Sequence, residues 1–328
     1  MHALEIRSFA RLHFGLLQMS AAYTRRNMGI GAALNSPCWR LRFKRLDPRE
    51  ILVVTGPENV APEITDAARA AVRRFQDCGA EPVGLGIEVA ETIPSHVGLG
   101  SKTAFLKAVR AAYGLLTTGD HAFLPIESTA RGGTSGIGVN LNDAGGVVVD
   151  AGHRWSPEDV MDTSRARAGA PAPGVVARYL VADGMLLLAR MRDEEGPCGR
   201  AESNIFRRTL PLAPEEADRV AGNVLFEALP ALASGDWAAF GHALAMLQRM
   251  GFKKEEWHAQ SDATKRLAQL AYEAGAHCAA LSSMGPTLAI IADDLQAVKV
   301  QLEEVLADAV LLAPARVHDS GMEWTILE

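Results

Sequence analysis

The chain has 328 residues, of which 48% are hydrophobic and 22% are charged, and its formal net charge is −6. These values are ordinary for a soluble globular protein of one large or two modest domains. The acidic balance argues against non-specific nucleic-acid binding, so no nucleic-acid partner is expected. An anionic small substrate would then need a local basic pocket.

The cysteines favour reduced thiols in a cytoplasmic protein over a zinc site or a disulfide framework. They are Cys38, Cys78, Cys198 and Cys278, and no two of them form a C-x-x-C pair. The N-terminus lacks the basic start and long apolar run of a signal peptide. No segment approaches the roughly 18 apolar residues of a membrane span, so no membrane partner is expected.

The first half of the chain predicts alternating strands and helices. Short alternation of apolar β-forming residues over 3–17 predicts a strand, a turn and a strand, and clean alternation over 38–46 predicts a half-buried strand. Residues 61–79 predict a helix that ends at the final glycine of that range. A predicted strand over 84–93 leads directly into a glycine turn, and apolar spacing of three and four residues over 101–116 predicts a helix.

The middle of the chain contains a second glycine-rich turn. Residues 131–153 predict this turn, a short helix and a strand. Residues 154–174 are rich in Pro, Ala, Gly and charge, and they predict a long surface loop or a domain connection. A pair of strands around Asp183 and Gly184 is predicted over 178–191.

The second half of the chain mixes helices with strands. Helical patterns dominate 214–274. The later predicted elements are a strand over 277–283, a turn over 284–287, a strand over 288–292, a helix over 295–309 and a last strand over 310–316. This alternation indicates an α+β arrangement.

The first glycine turn, IPSHVGLGSKTA, has the features of a phosphate-binding loop. Gly98 and Gly100 permit a positive φ and a close approach of the main chain to a ligand. The N–H groups of residues 101–104 lie at a helix start, which favours anions, and Ser101 and Thr103 add hydroxyl donors. A capped helix without a ligand is the alternative.

Lys102 strengthens the interpretation as an anion site. A cation in the first turn of a helix opposes the helix dipole, so a compensating anion is a natural explanation for it. The alternative is a side chain that points into water.

The second glycine turn, RGGTSGIG, has the same parts as the first. It offers Arg131, Thr134 and Ser135 among its glycines. Two such loops in one half of the chain indicate one polyanion site lined by both. A tight loop that needs positive φ is the alternative.

Basic residues also accompany the first strand. Arg11 and His13 alternate in a strand pattern and so share a face, and Arg25 and Arg26 lie just before two glycines. Arginine pairs suit bidentate capture of phosphate or carboxylate. A solvated basic edge and a structural histidine are the alternatives.

A small polar turn in the second half could close over a ligand or could be only a hairpin. It contains Ser282, Ser283, Gly285 and Thr287.

These four stretches, in this order, resemble the GHMP kinase superfamily, named for galactokinase, homoserine kinase, mevalonate kinase and phosphomevalonate kinase. ARLHFGLL, PSHVGLGSKTA and LSSMGPTLAII are similar to its three motifs. The resemblance covers most of the chain. It implies an α+β, GHMP kinase-like two-domain fold. A ribosomal S5 domain 2-like domain would span 1–170, and a ferredoxin-like domain would span 171–328.

Two positions depart from the superfamily pattern. Lys102 replaces a second Ser whose hydroxyl is associated with Mg-nucleotide. Val139 stands where many members place a catalytic Asp, and valine accepts no proton. Asp143 and Asp150 follow, but neither has the spacing to replace that Asp.

The β-ribofuranosylaminobenzene 5′-phosphate synthases are one branch of this superfamily, and the chain resembles them at both of these positions. The most specific part of that resemblance is GLGSKT together with RGGTSGIG. The resemblance implies that phosphoribosyl pyrophosphate and 4-aminobenzoate condense to a C-riboside, with loss of CO₂ and pyrophosphate, in tetrahydromethanopterin biosynthesis. It also implies a homodimer.

On this reading the first turn holds diphosphate as a leaving group, together with Mg²⁺. The residues assigned to the diphosphate are Gly98, Gly100, Ser101, Lys102 and Thr103. The other assignments are Arg131, Thr134 and Ser135 to a second phosphate, Arg25 or Arg26 to the carboxylate, Arg11 and His13 to the reacting centre, and Ser282 and Ser283 to substrate binding.

Two rival functions remain open at this point. One is an ATP-dependent GHMP-type small-molecule kinase, and the other is a non-catalytic protein that binds a nucleotide or phosphate. The aromatic substrate is open as well, because 4-hydroxybenzoate or a related acid fits the same chemistry.

Overall fold

The computed structural model describes residues 3–50, 52–56, 60, 62–77, 81–125, 129, 136–155, 171–181 and 183–327. Its strands are β1 (Ala3–Leu16), β2 (Arg25–Arg26), β3 (Gly29–Leu46), β4 (Leu52–Thr55), β5 (Gly84–Glu91), β6 (Val147–Asp150), β7 (His153–Arg154), β8 (Val175–Tyr179), β9 (Met185–Met191), β10 (Cys278–Leu281), β11 (Leu288–Ile291), β12 (Val310–Arg316) and β13 (Glu323–Leu327).

The α-helices are α1 (Pro62–Asp77), α2 (Ser101–Thr118), α3 (Gly136–Ala144), α4 (Arg200–Thr209), α5 (Pro214–Asn223), α6 (Leu229–Ser234), α7 (Trp237–Leu247), α8 (Gly251–His258), α9 (Asp262–Glu273) and α10 (Leu295–Leu306). A π-helical segment (Val224–Ala228) joins α5 to α6. None of these helices, within the described ranges, is long and apolar enough to cross a membrane.

The helix α2 packs against β1 and β3 of the larger sheet and contacts the helices α1 and α3. The strands of this sheet run in the order β13-β1-β3-β5-β4, and β6 joins β3 to β8. The helix α2 is buried at every position from Thr103 to Leu116. Because the surrounding core fixes this helix on all sides, its first turn has a defined position at the surface.

The smaller sheet has the order β10-β11-β9-β12, with all pairs antiparallel. Side chains of α9 and α10, such as Leu267 and Leu302, share a hydrophobic cluster with its inner residues, such as Leu281 and Ile290. This is the arrangement of a ferredoxin-like unit. The α+β class predicted from the sequence is confirmed.

Three local predictions were wrong, and one helix was missed. The predicted turn within 3–17 is absent, because β1 is one strand whose bulges at Phe9/Arg11 and His13/Gly15 interrupt the alternation. The strands near Asp183 do not pair with each other, since β8 joins β6 and β9 joins β11 and β12. The helix α4 was not predicted, and β13 follows the strand predicted to be last.

The domain boundary between 170 and 171 stays a prediction. The strand pairing adds β8 and β13, from the second half of the chain, to the larger sheet. Most of the connection predicted over 154–174 and the predicted helix end at Gly79 lie outside the described residues.

Candidate functional site

A cleft of about 340 Å³ lies where the first turns of four helices meet the turn between β10 and β11. Its walls include residues from the starts of α1, α2, α3 and α4, among them Glu63, Lys102, Gly136 and Gly199. Helix N-termini present N–H donors and a partial positive charge. The cleft therefore suits an anion, although the chain is acidic overall.

The first glycine turn forms one wall of this cleft in the predicted manner. Gly98 and Gly100 have φ of 82° and 77°, and Gly100 caps α2 without a side-chain hydrogen bond. The carbonyl oxygen of Gly98 accepts hydrogen bonds from the Arg11 guanidinium and, at 2.8 Å, from the Ser282 hydroxyl. Two distant stretches thus hold the turn in place.

We expect Gly98→Ala to distort this turn. A Cβ atom there would lie 2.2 Å from the carbonyl oxygen of Ser282, in a backbone conformation that L side chains rarely adopt. The matched control is Gly119→Ala, with φ of 78° and no atom within 4 Å of the new Cβ.

Both variants should lose about 1–3 kcal/mol to backbone strain. Only Gly98→Ala should lose more in urea unfolding and also bind inorganic diphosphate more weakly. Equal losses of stability and unchanged binding would contradict the close packing at Gly98.

The polar side chains of the first turn have different environments. The Ser101 hydroxyl donates to the carbonyl oxygen of Ile93 at 2.8 Å, so Ser101 offers the cleft its main chain rather than its hydroxyl. Thr103 is buried and Lys102 half-buried, and both line the cleft. Their predicted contact with diphosphate stays a prediction.

Arg11 and His13 lie side by side along the cleft, as the strand pattern predicts. The main chain of His13 bonds to the polar turn: its N–H donates to Ser282 Oγ at 3.1 Å, and its carbonyl accepts from Ser283 N at 2.8 Å. Burial, and then the charges of Arg11 and Lys253, hold the pKa of His13 well below its usual range. The imidazole is therefore neutral near neutral pH.

Several predicted site residues lie elsewhere. Ser282, Arg25 and Arg26 are not among the described residues that line the cleft. Arg25 donates to the carbonyl oxygens of residues 151 and 152, and the Arg26 guanidinium lies 5.2 Å from the ring centroid of Trp155. A carboxylate clamp at this pair has no support from that geometry. Arg131, Thr134 and Ser135 lie outside the described residues.

The cleft also contains acidic residues that sequence reasoning did not assign to it. Glu63 accepts a hydrogen bond from His96 Nε2 at 2.7 Å at the edge of the glycine turn. Glu202 and Glu256 lie on the α4 and α8 side, where Glu256 forms a buried ion pair with Lys253. These residues come from helices without a recognisable motif, so no sequence signal indicated them.

Asp150 is the acidic residue at the opposite wall. It ends the wholly buried strand β6, is 2% exposed, and accepts main-chain hydrogen bonds from Gly152 at 2.8 Å and Gly29 at 3.3 Å. Burial raises the pKa of its carboxyl to about 7. Its spacing along the chain does not match that of the superfamily's catalytic Asp, yet β6 brings it into the cleft. Asp143 instead forms an ion pair with Lys107.

Comparison with known proteins gives close relatives for most of the chain. It is 35% identical to a β-ribofuranosylphenol 5′-phosphate synthase from Archaeoglobus fulgidus over 295 residues, which are 88% of each chain. It is 30% identical to a protein of the same name from Methanothermobacter thermautotrophicus over 301 residues, 89% of each chain. No protein-family model matches.

Solved structures share the fold at low identity, which confirms the predicted GHMP kinase-like fold. Homoserine kinase from Cytophaga hutchinsonii aligns with a TM-score of 0.66 and 15% identity, covering 99% of this chain and 98% of that one. Mevalonate diphosphate decarboxylase from Staphylococcus aureus aligns with a TM-score of 0.69 and 12% identity, with the same coverage.

Proposed function

The chain belongs to the β-ribofuranosylphenol 5′-phosphate synthase family, and from this premise we propose that it joins phosphoribosyl pyrophosphate to a para-substituted benzoate. The proposed products are a C-riboside 5′-phosphate, CO₂ and pyrophosphate. The observation that supports this best is the glycine turn, which brings Lys102 and the start of α2 to a cleft built from helix N-termini.

The proposed reaction breaks the bond between the anomeric carbon and the diphosphate. Positive charge then builds on the ribose, and negative charge builds on the leaving group. Main-chain N–H groups at the start of α2 and the Lys102 ammonium would stabilise that negative charge in the transition state. The ring carbon that bears the carboxylate attacks the anomeric carbon, and the electrons of the breaking C–CO₂ bond restore the aromatic ring.

The sequence departures agree with this chemistry. Many kinases of the superfamily use an Asp as the base for the substrate hydroxyl, whereas Val139 is buried in α3 and carries no proton-accepting group. Loss of CO₂ restores the ring without removal of a ring proton, so the reaction needs no base at the attacking ring carbon. Because His13 is neutral, it would add no positive charge beside the ribose. The positive charge of Arg11 is partly offset by the carbonyl oxygen of Gly98, which accepts its hydrogen bond.

The identity of the aromatic acid is part of the proposal, and there are two candidates for it. The resemblance implies 4-aminobenzoate, while the relatives are named for a phenol, which this chemistry would form from 4-hydroxybenzoate. Both acids carry an electron-donating group para to the carboxylate.

Mg²⁺ is proposed to accompany the diphosphate. The described residues hold no group of three or more His, Cys, Asp or Glu side chains placed for a metal. Magnesium is often carried by substrate phosphates with one or two protein carboxylates, and Glu63 is the carboxylate bonded to the glycine turn. A bound Mg²⁺ would neutralise part of the leaving group's charge. The homodimer and the cytoplasmic location stay predictions.

The test is an assay with phosphoribosyl pyrophosphate and each acid labelled at its carboxyl carbon. The expected result is labelled CO₂ that forms only when both substrates are present, together with an equal amount of pyrophosphate. Formation of ADP from ATP and a small alcohol, without CO₂, would instead establish a kinase. Tight ligand binding with no turnover of either kind would indicate a binding protein.

A further inference from the structure

One oxygen of Asp150 is fixed by the main chain and the other is not. The hydrogen bonds from Gly29 and Gly152 both end on Oδ1. In the part of the chain that the structure describes, no hydrogen bond to Oδ2 and no ion pair of Asp150 is found, although the residue is 2% exposed. A buried carboxylate without a cationic partner is costly, and such costs concentrate at functional sites.

Gly136 leaves Oδ2 uncovered by a side chain on one side. A Cβ atom on Gly136 would lie 2.6 Å from Oδ2 and 2.4 Å from the ring of Pro173. Any side chain at position 136 would therefore collide with both groups, so the glycine keeps Oδ2 from being covered there. All three residues line the cleft.

Contacts along β1 and β3 give the cleft a direction. Arg11 lies against the glycine turn, since a Cβ atom on Gly100 would be 3.0 Å from its side chain. His13 is two residues, or about 7 Å, further along the strand. A Cβ atom on Gly29 would be 3.1 Å from His13 Nε2, and Gly29 donates to Asp150. The order is therefore glycine turn, Arg11, His13, Asp150.

This order matches the order of groups in the two substrates. With diphosphate at the glycine turn, the ribose follows, then the attacking ring carbon, and last the group para to it. We propose that Asp150 accepts the proton of the para hydroxyl or amino group through Oδ2 as the ring attacks, and returns it when CO₂ leaves. This inference rests on the proposed function and names a catalytic residue for it.

The proton and electron changes balance. As the C–C bond to ribose forms, the anomeric C–O bond breaks towards diphosphate, and the O–H or N–H pair moves towards the ring while Asp150 takes the proton. When the C–CO₂ bond breaks, its electrons restore the aromatic ring. The oxygen or nitrogen then takes the proton back from Asp150, which ends ionised as it began.

A structural role for Asp150 is the alternative, because Oδ1 fastens the turn that follows β6. Asp150→Asn separates the two roles. Asparagine keeps an acceptor oxygen for Gly29 and Gly152 but cannot take a proton at the other position. The matched control is Asp294→Asn, at a side chain outside the cleft that caps α10 by accepting from Ala297 N at 2.9 Å.

The experiment compares 4-hydroxybenzoate with 4-methoxybenzoate, which has no proton to give, by CO₂ release. We expect the wild type and Asp294→Asn to turn over the hydroxy acid much faster than the methoxy acid. Asp150→Asn should lower kcat for the hydroxy acid about a hundredfold. It should leave the slow methoxy reaction almost unchanged, so that the preference disappears.

Two results would overturn the inference, and only the second would also overturn the proposed function. If Asp150→Asn keeps the wild-type preference, or lowers both rates equally, Asp150 does not exchange this proton while the proposed function stands. If the wild type releases no CO₂ from either the hydroxy or the amino acid, the proposed function fails and the role of Asp150 fails with it.

Discussion

Replacing Lys102 with alanine should lower kcat about a hundredfold or more, the usual effect of removing one donor to a developing negative charge. Lys102 lies in the first turn of α2 and lines the cleft. If it stabilises the departing diphosphate more than the bound substrate, kcat should fall while KM changes little. Steady-state rates of pyrophosphate release measure both quantities.

The same substitution should leave the free energy of unfolding nearly unchanged. A cation at a helix N-terminus opposes the dipole, so its removal costs the helix nothing. Lys299→Ala is the control for loss of a lysine, because Lys299 forms a surface ion pair with Glu303 at 3.2 Å on α10 and lies outside the cleft. Near-normal turnover in Lys102→Ala would remove Lys102 from the mechanism.

The sequence indicated the glycine turn and its helix because their signals are local. Gly98 and Gly100 mark a turn with positive φ, a conformation that local sterics allow to glycine without penalty. The strand before the turn and the helix after it each show a clear period. The turn at Ser282 was indicated as well, although its contact with Gly98 could be expected only from the resemblance, because 184 positions separate the two residues.

The acidic side of the site could not be predicted in this way. Asp150 follows an unbroken apolar strand, and its place in the cleft depends on the pairing of β6 with β3, which brings Gly29 beside it. Glu256 reaches the cleft through α8, and its partner Lys253 is three residues away on the same helix. Such placements come from tertiary packing, and neither periodicity nor motif spacing encodes them.

Asp150→Asn should make the protein more stable at alkaline pH while it impairs the proposed reaction. Burial raises the pKa of this carboxyl to about 7 in the folded chain, against about 4 for an unfolded aspartate. Between these values the folded protein holds a proton that the unfolded chain has lost. The contribution of Asp150 to the wild type's free energy of unfolding therefore falls as pH rises from about 4 to about 7 and is level above that range.

Asparagine has no such titration, so the difference between the two proteins isolates this carboxyl from every other group. From about pH 5 to about pH 8, the stability of Asp150→Asn relative to the wild type should rise by about 3 kcal/mol. Urea unfolding of both proteins at the two pH values measures the change. A difference independent of pH would mean that Asp150 is already ionised when folded at pH 5. A gain of stability together with the loss of CO₂ release would instead show that the chain keeps a destabilising group for its chemistry.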